Sequence, residues 1–181
     1  MSEEGVVIQK IFLNYNNANC NIVNRKPNYY KIASSVLICV LIGFLSTLAI
    51  QKSLHNWLAV INKPSFVIAD WLYTSLWIIN FAFMGIAAGV VWSRGLHHIW
   101  VKTALYHFGF QLLLTAAWFL VFFELKSPLL AFLLIAALFI LLLFTMKWFK
   151  IVKPIAAYLL IPYTVWIAYT AIVNFEIWRL N

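Results

Sequence analysis

The sequence has very little charge. Only 10% of its 181 residues are Asp, Glu, Lys or Arg, and 65% are apolar, whereas about a quarter of the residues in a soluble domain are charged. A chain of this composition is too apolar for a water-soluble domain, so we expect lipid to be the solvent of most of it. The two cysteines, Cys20 and Cys39, show neither a disulfide framework nor the spacing of metal ligands.

Five long runs of the sequence contain no charged residue at all. Each has about the 20 apolar residues that a membrane-spanning helix requires, and an open sheet cannot satisfy its backbone hydrogen bonds in lipid. The alternating segments of a membrane β-barrel are absent. We therefore predict an all-α integral membrane protein, a bundle of five transmembrane helices over residues 32–50, 71–93, 103–123, 127–146 and 154–175.

The segments outside the runs differ in character. The first 30 residues are polar and Asn-rich and lack the apolar segment of a signal peptide, so we divide the chain into an N-terminal tail, 1–30, and a transmembrane domain, 31–181. The connection between the first two spans, 51–70, is long and contains Trp57 and Phe66. Loops of such length without secondary structure are uncommon and often functional, and this one has more apolar surface than a free loop would carry. We expect this connection to fold over the end of the bundle as a lid.

Positive charge is divided unevenly between the two sides of the membrane. With five spans, the tail and the 2–3 and 4–5 connections share one side, which holds nine of the 13 Lys and Arg residues. Cytoplasmic loops are enriched in Lys and Arg, so we expect the N-terminus in the cytoplasm of a bacterial cell and the C-terminus outside. The net charge of +8 then needs no nucleic-acid partner, because no basic run is interleaved with aromatics on a soluble domain.

The nine tryptophans fall into two groups. Six lie near span ends, where Trp is typical of the interfacial aromatic belt. The other three, Trp77, Trp118 and Trp166, lie inside predicted spans, about 8 to 14 Å from the same membrane face at the rise of an α-helix. The sequence therefore predicts three indoles at similar depth on three helices.

Polar residues and one proline accompany these tryptophans at helical spacing, which places them on the same helix faces. The resulting set is Trp77, Phe81, Gln111, Thr115, Trp118, Pro162, Trp166, Thr170 and Asn174. At membrane depth, amides such as Gln111 and Asn174 either join helices by hydrogen bonds or face a cavity. With three indoles at one level, we favour an aromatic-walled small-molecule pocket with a few polar anchors, in which Pro162 bends the fifth span.

Three segments of the sequence match one long ordered pattern. The first, residues 57–87, reads WLAVINKPSFVIADWLYTSLWIINFAFMGIA against W-Y-x-x-L-x-K-P-x-W-x-P-P-x-W-x-F-x-x-V-W-x-x-L-Y-x-x-M-G-x-A. The others are QLLLTAAWFLVFF in the third span and LLIPYTVWIAYTAIVNFEIWRLN at the end. On these segments residues 31–181 closely resemble the tryptophan-rich sensory protein family, also called the translocator protein or TspO/MBR family.

This resemblance implies a five-helix bundle, often dimeric, with a pocket capped by the lid. In the family this pocket binds porphyrins such as protoporphyrin IX, sterols and benzodiazepine-type ligands. The positions that correspond to pocket residues of the family are Trp57, Trp77, Phe81, Gln111, Thr115, Trp118, Trp166 and Thr170. The sequence departs from the family pattern at Leu58, Phe66, Ile68, Ala69, Thr115 and Thr170.

The function expected from these features is that of a membrane receptor or sensor for porphyrins and related flat hydrophobic ligands. We expect no required cofactor, and the expected partners are the lipid bilayer, hydrophobic small molecules and a second copy of the chain. Two alternatives stay open, which are transport of tetrapyrroles and their light- or oxygen-dependent degradation. No acid–base pair, nucleophile or metal set is visible in the sequence, so degradation would depend on Trp77 and Trp166 beside the bound porphyrin.

Overall fold

A computed structural model describes residues 27–62, 64, 66–68 and 70–181, without the side chains of 47–59 and 70. Within that part of the chain the fold is helical and has no strand. Five of its segments are long and apolar enough to cross a membrane, which confirms the predicted all-α five-helix bundle. The helices are α1 Tyr29–Val60, α2 Asp70–Trp92, α3 Ile99–Phe119, α4 Pro128–Val152, α5 Pro154–Tyr158 and α6 Ile161–Leu180. Most of the predicted tail, residues 1–26, lies outside the described residues.

Helix α1 continues ten residues past the predicted end of the first span at residue 50 and stops at Val60. The predicted bounds of the connection, 51–70, are therefore wrong for residues 51–60, which belong to the helix. The physical reason is that 51–60 contains no proline or glycine, so nothing in its local sequence stops a helix that has already started. The connection between α1 and α2 is the shorter segment 61–69, which we call the lid from here on.

Two glycines bring α2 into close contact with α1. A Cβ atom added to Gly85 would lie 2.5 Å from the Cα of Val36, and one added to Gly89 would lie 2.5 Å from the Cα of Ile32. Only glycine fits at both positions unless the two helices move apart. The Gly-x-x-x-Gly spacing therefore serves packing inside the bundle, since small residues let two membrane helices approach closely.

The α3 helix ends in a π-helical turn, Leu120–Glu124. There the N–H of Leu125 donates to the carbonyl of Leu120 at 3.1 Å, which is the wider spacing of a π-turn. Phe122 and Phe123 in this turn are both buried. The turn therefore lets two consecutive aromatic side chains enter the core at the end of the third span.

The fifth span is interrupted just before Pro162. It was predicted as one helix over 154–175, but it forms α5 and α6, and the N–H of Leu160 donates to the carbonyl of Ala157 at 3.1 Å in the turn between them. Pro162 lies in the first turn of α6, where its missing N–H needs no helical partner. The helix is therefore interrupted ahead of Pro162, and Pro162 itself starts the new helix.

Candidate functional site

The three deep indoles lie against each other in the core. The ring centroids of Trp77 and Trp118 are 5.6 Å apart with the planes 24° from parallel. The rings of Trp77 and Trp166 are 6.0 Å apart and nearly perpendicular. All three are buried, with Trp118 fully enclosed. Helices α2, α3 and α6 thus bring together the three tryptophans that the sequence placed at one depth.

Three further aromatic rings complete this group, and the sequence reasoning missed them as site residues. The ring centroid of Phe119 lies 4.9 Å from that of Trp77, that of Tyr73 lies 5.1 Å from Trp166, and that of Tyr163 lies 6.4 Å from Trp77. Tyr73 precedes Trp77 by one helical turn, which is a signal that could have found it. We call Tyr73, Trp77, Trp118, Phe119, Tyr163 and Trp166 the ring cluster. Its rings pack against one another at this depth.

Two of the predicted polar anchors, Thr115 and Asn174, link helices α3 and α6. The indole N–H of Trp118 donates to Oδ1 of Asn174 at 3.3 Å, and the hydroxyls of Thr115 and Tyr163 share a hydrogen bond of 3.0 Å. Both bonds link α3 to α6. Side-chain hydrogen bonds between membrane helices stabilise the bundle. In this structure Thr115 and Asn174 therefore act as interhelical contacts.

The other predicted residues have different surroundings. The hydroxyl of Thr170 donates to the carbonyl of Trp166 within α6, at 2.9 Å. Phe81 is buried and lies 5.9 Å from Trp77, ring to ring. Gln111 is fully buried, and neither atom of its amide has a hydrogen-bond partner among the described residues. The side chain of Trp57 lies outside the described residues.

A groove of about 540 Å³ lies between α2 and α6, beside the ring cluster. Among the predicted residues whose side chains the structure describes, two line it, Pro162 and Trp166. The full lining is Ile68, Leu72, Leu76, Ile79, Asn80, Pro162, Val165, Trp166 and Tyr169. We call this the α2–α6 groove. Its volume is within the range of about 300–1,000 Å³ that is usual for small-molecule sites.

The α2–α6 groove opens sideways, toward the bilayer. Ile79 and Val165 line it, and they are 49% and 65% exposed in the middle of membrane-spanning helices. Exposed residues at this depth face lipid in a membrane. An apolar molecule dissolved in the bilayer can therefore reach the groove without passing through water.

The lid is fixed to α6 above the groove. The hydroxyl of Tyr169 accepts from the N–H of Ile68 at 3.2 Å and donates to the carbonyl of Phe66 at 3.3 Å. Ile68 and Tyr169 also line the groove. One phenol therefore ties two lid residues to the groove wall, a role that no sequence pattern indicated.

The matching family model covers residues 35–179 and is that of the TspO/MBR family. The chain belongs to this family. It is 32% identical over 150 residues to the tryptophan-rich protein TspO of Chlorobaculum tepidum, covering 83% of this chain and 95% of that protein. It is 32% identical over 158 residues to TspO of Archaeoglobus fulgidus, covering 85% and 99%. It is 30% identical over 158 residues to the translocator protein of Sus scrofa, covering 86% and 92%.

Membership of the TspO/MBR family and five apolar spans together make the chain an integral multi-pass membrane protein. The family places it among membrane sensors and translocators. Its surroundings are the lipid bilayer and the hydrophobic molecules dissolved there. These findings confirm the family and the coarse function expected from the sequence.

Proposed function

We propose that this TspO/MBR protein binds porphyrin-type tetrapyrroles in the α2–α6 groove, as a membrane receptor or sensor. The observation that carries the proposal is the position of Trp166. It lines the groove and is also part of the ring cluster. One indole therefore offers an aromatic edge to a ligand while its neighbours hold it in place.

The shape and chemistry of the groove suit a flat, apolar ring. The rings of Trp166 and Tyr169 are 5.4 Å apart with an angle of 31° between their planes, and both residues line the groove. Stacking on aromatic rings contributes about 0.5–1.5 kcal/mol per pair beyond the burial of area. The opposite wall is aliphatic and includes Leu72 and Leu76. A porphyrin can lie between these two walls.

The remaining members of the ring cluster support the site from behind. Trp77 and Trp118 stack on each other with less than a tenth of their surface exposed, so a ligand cannot lie between them unless the rings separate. Contacts of Trp166 with Trp77 and Tyr73 restrain its rotamer, which limits the entropy that the indole loses when a ligand binds. In this proposal the interior indoles position the ligand-contacting indole.

Direct binding of protoporphyrin IX tests the proposal. Purified protein in lipid nanodiscs and empty nanodiscs of the same lipid are titrated with the porphyrin, and porphyrin absorbance and tryptophan fluorescence are recorded. We expect saturable binding with the protein and only linear partitioning into the empty discs. Linear partitioning in both samples would reject porphyrin as a ligand of this chain.

A further inference from the structure

A second apolar groove lies on the outer surface of the bundle, between α3 and α4. Its volume is about 470 Å³, and its lining is Phe110, Leu113, Leu114, Ala117 and Leu141. Phe110 and Leu113 are exposed, so this groove opens toward lipid in a membrane. We call it the α3–α4 groove. It shares no lining residue with the α2–α6 groove.

A lysine of α3 lies on the same helix face as this groove, closer to the end of the helix. Lys102, Tyr106 and Leu113 follow one another at intervals of four and seven residues, which places them on one face, and all three are exposed. Lys102 is 11 residues before Leu113, roughly 16 Å along the helix axis. Half of the hydrocarbon core of a bilayer is about 15 Å thick. A lipid whose headgroup lies at Lys102 can therefore extend an acyl chain to the groove.

A second lysine comes from α4 at nearly the same level. The rings of Trp100 and Trp148 stack with 5.8 Å between their centroids, and the ring of His107 lies 5.9 Å from that of Trp148. These contacts join the start of α3 to the end of α4, so the two helices run antiparallel. Lys147 precedes Trp148 and is exposed, and Leu141 lies nearly two turns deeper, in the groove.

The two lysines flank the end of the groove, and the sequence places no carboxylate beside them. Residues 92–102 and 147–154, which form this end of α2, α3 and α4, contain no Asp or Glu. Glu124 lies at the opposite end of the third span. Lysine side chains at such a position extend their ammonium groups to the level of the lipid headgroups, where they attract anionic lipids.

We infer that the α3–α4 groove is a binding site for an anionic phospholipid, with one acyl chain in the groove and the headgroup between Lys102 and Lys147. The apolar lining contacts the chain, and the two ammonium groups select the headgroup by its charge. A zwitterionic headgroup carries its own cation beside the phosphate and gains less from the lysines. This site lies on other helices than the proposed porphyrin site and does not depend on it.

Charge favours a lipid over a second copy of the chain as the occupant. Two copies related by an axis along the membrane normal present the same face to each other. A contact through this face of α3 would bring each Lys102 toward its symmetry equivalent, and like charges across an interface are costly. An anionic headgroup offers the opposite charge at the same place.

Photolabelling with two lipids that differ only in the headgroup tests the inference. The protein in phosphatidylcholine nanodiscs receives a trace of phosphatidylglycerol or phosphatidylcholine with the same diazirine-bearing chain. Mass spectrometry compares labelling of 110–117 and Leu141 with that of Leu37 and Leu41, which are exposed on α1. We expect this ratio to be about five- to twentyfold higher for phosphatidylglycerol, since each lysine contributes up to about fivefold. Raised ionic strength should reduce the difference.

Variants separate this site from the general attraction of anionic lipid to the cation-rich side. Lys102→Gln and Lys147→Gln should each lower the preference about threefold or more. Lys31→Gln is the matched control and should keep it, because Lys31 lies over the ring of Trp92 at 5.6 Å, at the contact of α1 with α2. Ala117→Leu narrows the groove and should lower its labelling by phosphatidylglycerol. Circular dichroism confirms that each variant is folded.

Three results would overturn the inference. The first is an equal ratio for the two lipids in the unaltered protein. The second is a preference that survives both lysine substitutions or falls equally in Lys31→Gln; if the lysine variants do not fold, a preference that raised ionic strength leaves unchanged decides the same way. The third is a groove that neither lipid labels while cross-links join two copies through α3. Porphyrin titration of the same samples tests the other proposal separately, and its failure leaves the lipid preference unaffected.

Discussion

Asn62 and Asn181 exchange two hydrogen bonds across the side of the bundle that carries the lid. The N–H of Asn62 donates to Oδ1 of Asn181 at 3.0 Å, and Nδ2 of Asn181 donates to the carbonyl of Asn62 at 3.1 Å. The last residue of the sequence thus holds the first turn of the lid. Together with Tyr169, it gives the lid two attachment points, one on α6 and one on the residue that follows it.

Removing the amide of Asn181 should loosen the start of the lid. In Asn181→Ala, the N–H of Asn62 loses its acceptor, and one such bond contributes about 0.5–1.5 kcal/mol. We expect hydrogen exchange of this amide to become about three- to tenfold faster. Leu180→Ala is the matched control, since it shortens a neighbouring side chain and keeps the backbone. Equal exchange in Asn181→Ala and the unaltered protein would show that the bonds do not hold the lid.

Removing the hydroxyl of Tyr169 should act on the other end of the lid. Tyr169→Phe keeps the ring in the groove wall but loses both bonds, to Ile68 and to Phe66. We expect faster amide exchange at Ile68 and faster porphyrin release, with little change in overall stability. Tyr158→Phe, at an exposed position, should change neither rate. Identical release from the two variants would contradict a role for this phenol in closing the groove.

Trp166→Ala should weaken porphyrin binding at least about tenfold, which is ~1.4 kcal/mol. The variant loses a stacking partner and apolar contact worth about 25 cal/mol per Å². Trp148→Ala is the control, because Trp148 stacks on Trp100, with 5.8 Å between ring centroids, and does not line the groove. The measurement is porphyrin titration of both variants in the same nanodiscs. If both bind equally well, the tryptophans near the groove serve packing only.

Thr170→Ala should leave porphyrin affinity unchanged. The Thr170 hydroxyl is bonded to the carbonyl of Trp166 inside α6 and is fully buried, so it offers no group to the groove. The same titration gives the answer, with the unaltered protein as reference. A loss of affinity comparable to that of Trp166→Ala would mean that the ligand lies in the interior.

Two glycine substitutions should have opposite effects on stability. Gly85→Ala places a Cβ against the backbone of Val36, and such overpacking costs about 1–3 kcal/mol. Gly109→Ala meets no atom within 4 Å and should stabilise helix α3 by about 0.5–1 kcal/mol. Thermal unfolding in one detergent measures both. Equal midpoints would show that α1 and α2 adjust to a side chain at this contact.

The orientation of the chain in the membrane stays a prediction. Nine of 13 cations on the side of the N-terminus predict that this end is cytoplasmic. Single cysteines replacing Lys26 and Arg179, in a chain without Cys20 and Cys39, can be labelled with an impermeant reagent in intact cells. We expect labelling at position 179. Labelling at 26 with none at 179 would reverse the orientation.

The number of membrane spans and the meeting of the three indoles could be predicted from the sequence, because gaps in charge mark the spans and helical rise gives depth. The end of α1 could not be predicted in the same way. The apolar run shows where the span ends, but the helix continues past it because residues 51–60 contain no proline or glycine. These two signals coincide in many helices but differ in this one.

The α2–α6 groove could not be predicted from the sequence either. Leu72, Leu76 and Val165 have the composition of any lipid-facing surface, so nothing in their pattern distinguishes a groove wall from a helix face in the bilayer. The sequence predicts a pocket walled by Trp77, Trp118 and Trp166, and of these three only Trp166 lines the α2–α6 groove. Where space for a ligand is left depends on the side-chain volumes of several helices together, which a sequence pattern does not give.

The break between α5 and α6 has a mechanical consequence. The close contact of Gly85 and Gly89 with α1 joins α1 and α2 into a single unit, so the α2 wall of the groove is fixed. The opposite wall, with Val165 and Trp166, starts within two turns of a joint where the helix is already interrupted. At that joint the N–H of Leu160 donates to the carbonyl of Ala157, so the regular α-helical ladder is already interrupted there. A tilt of α6 about that joint would widen the groove from one side only, against the hydrogen bonds that link α6 to α3 and to the lid.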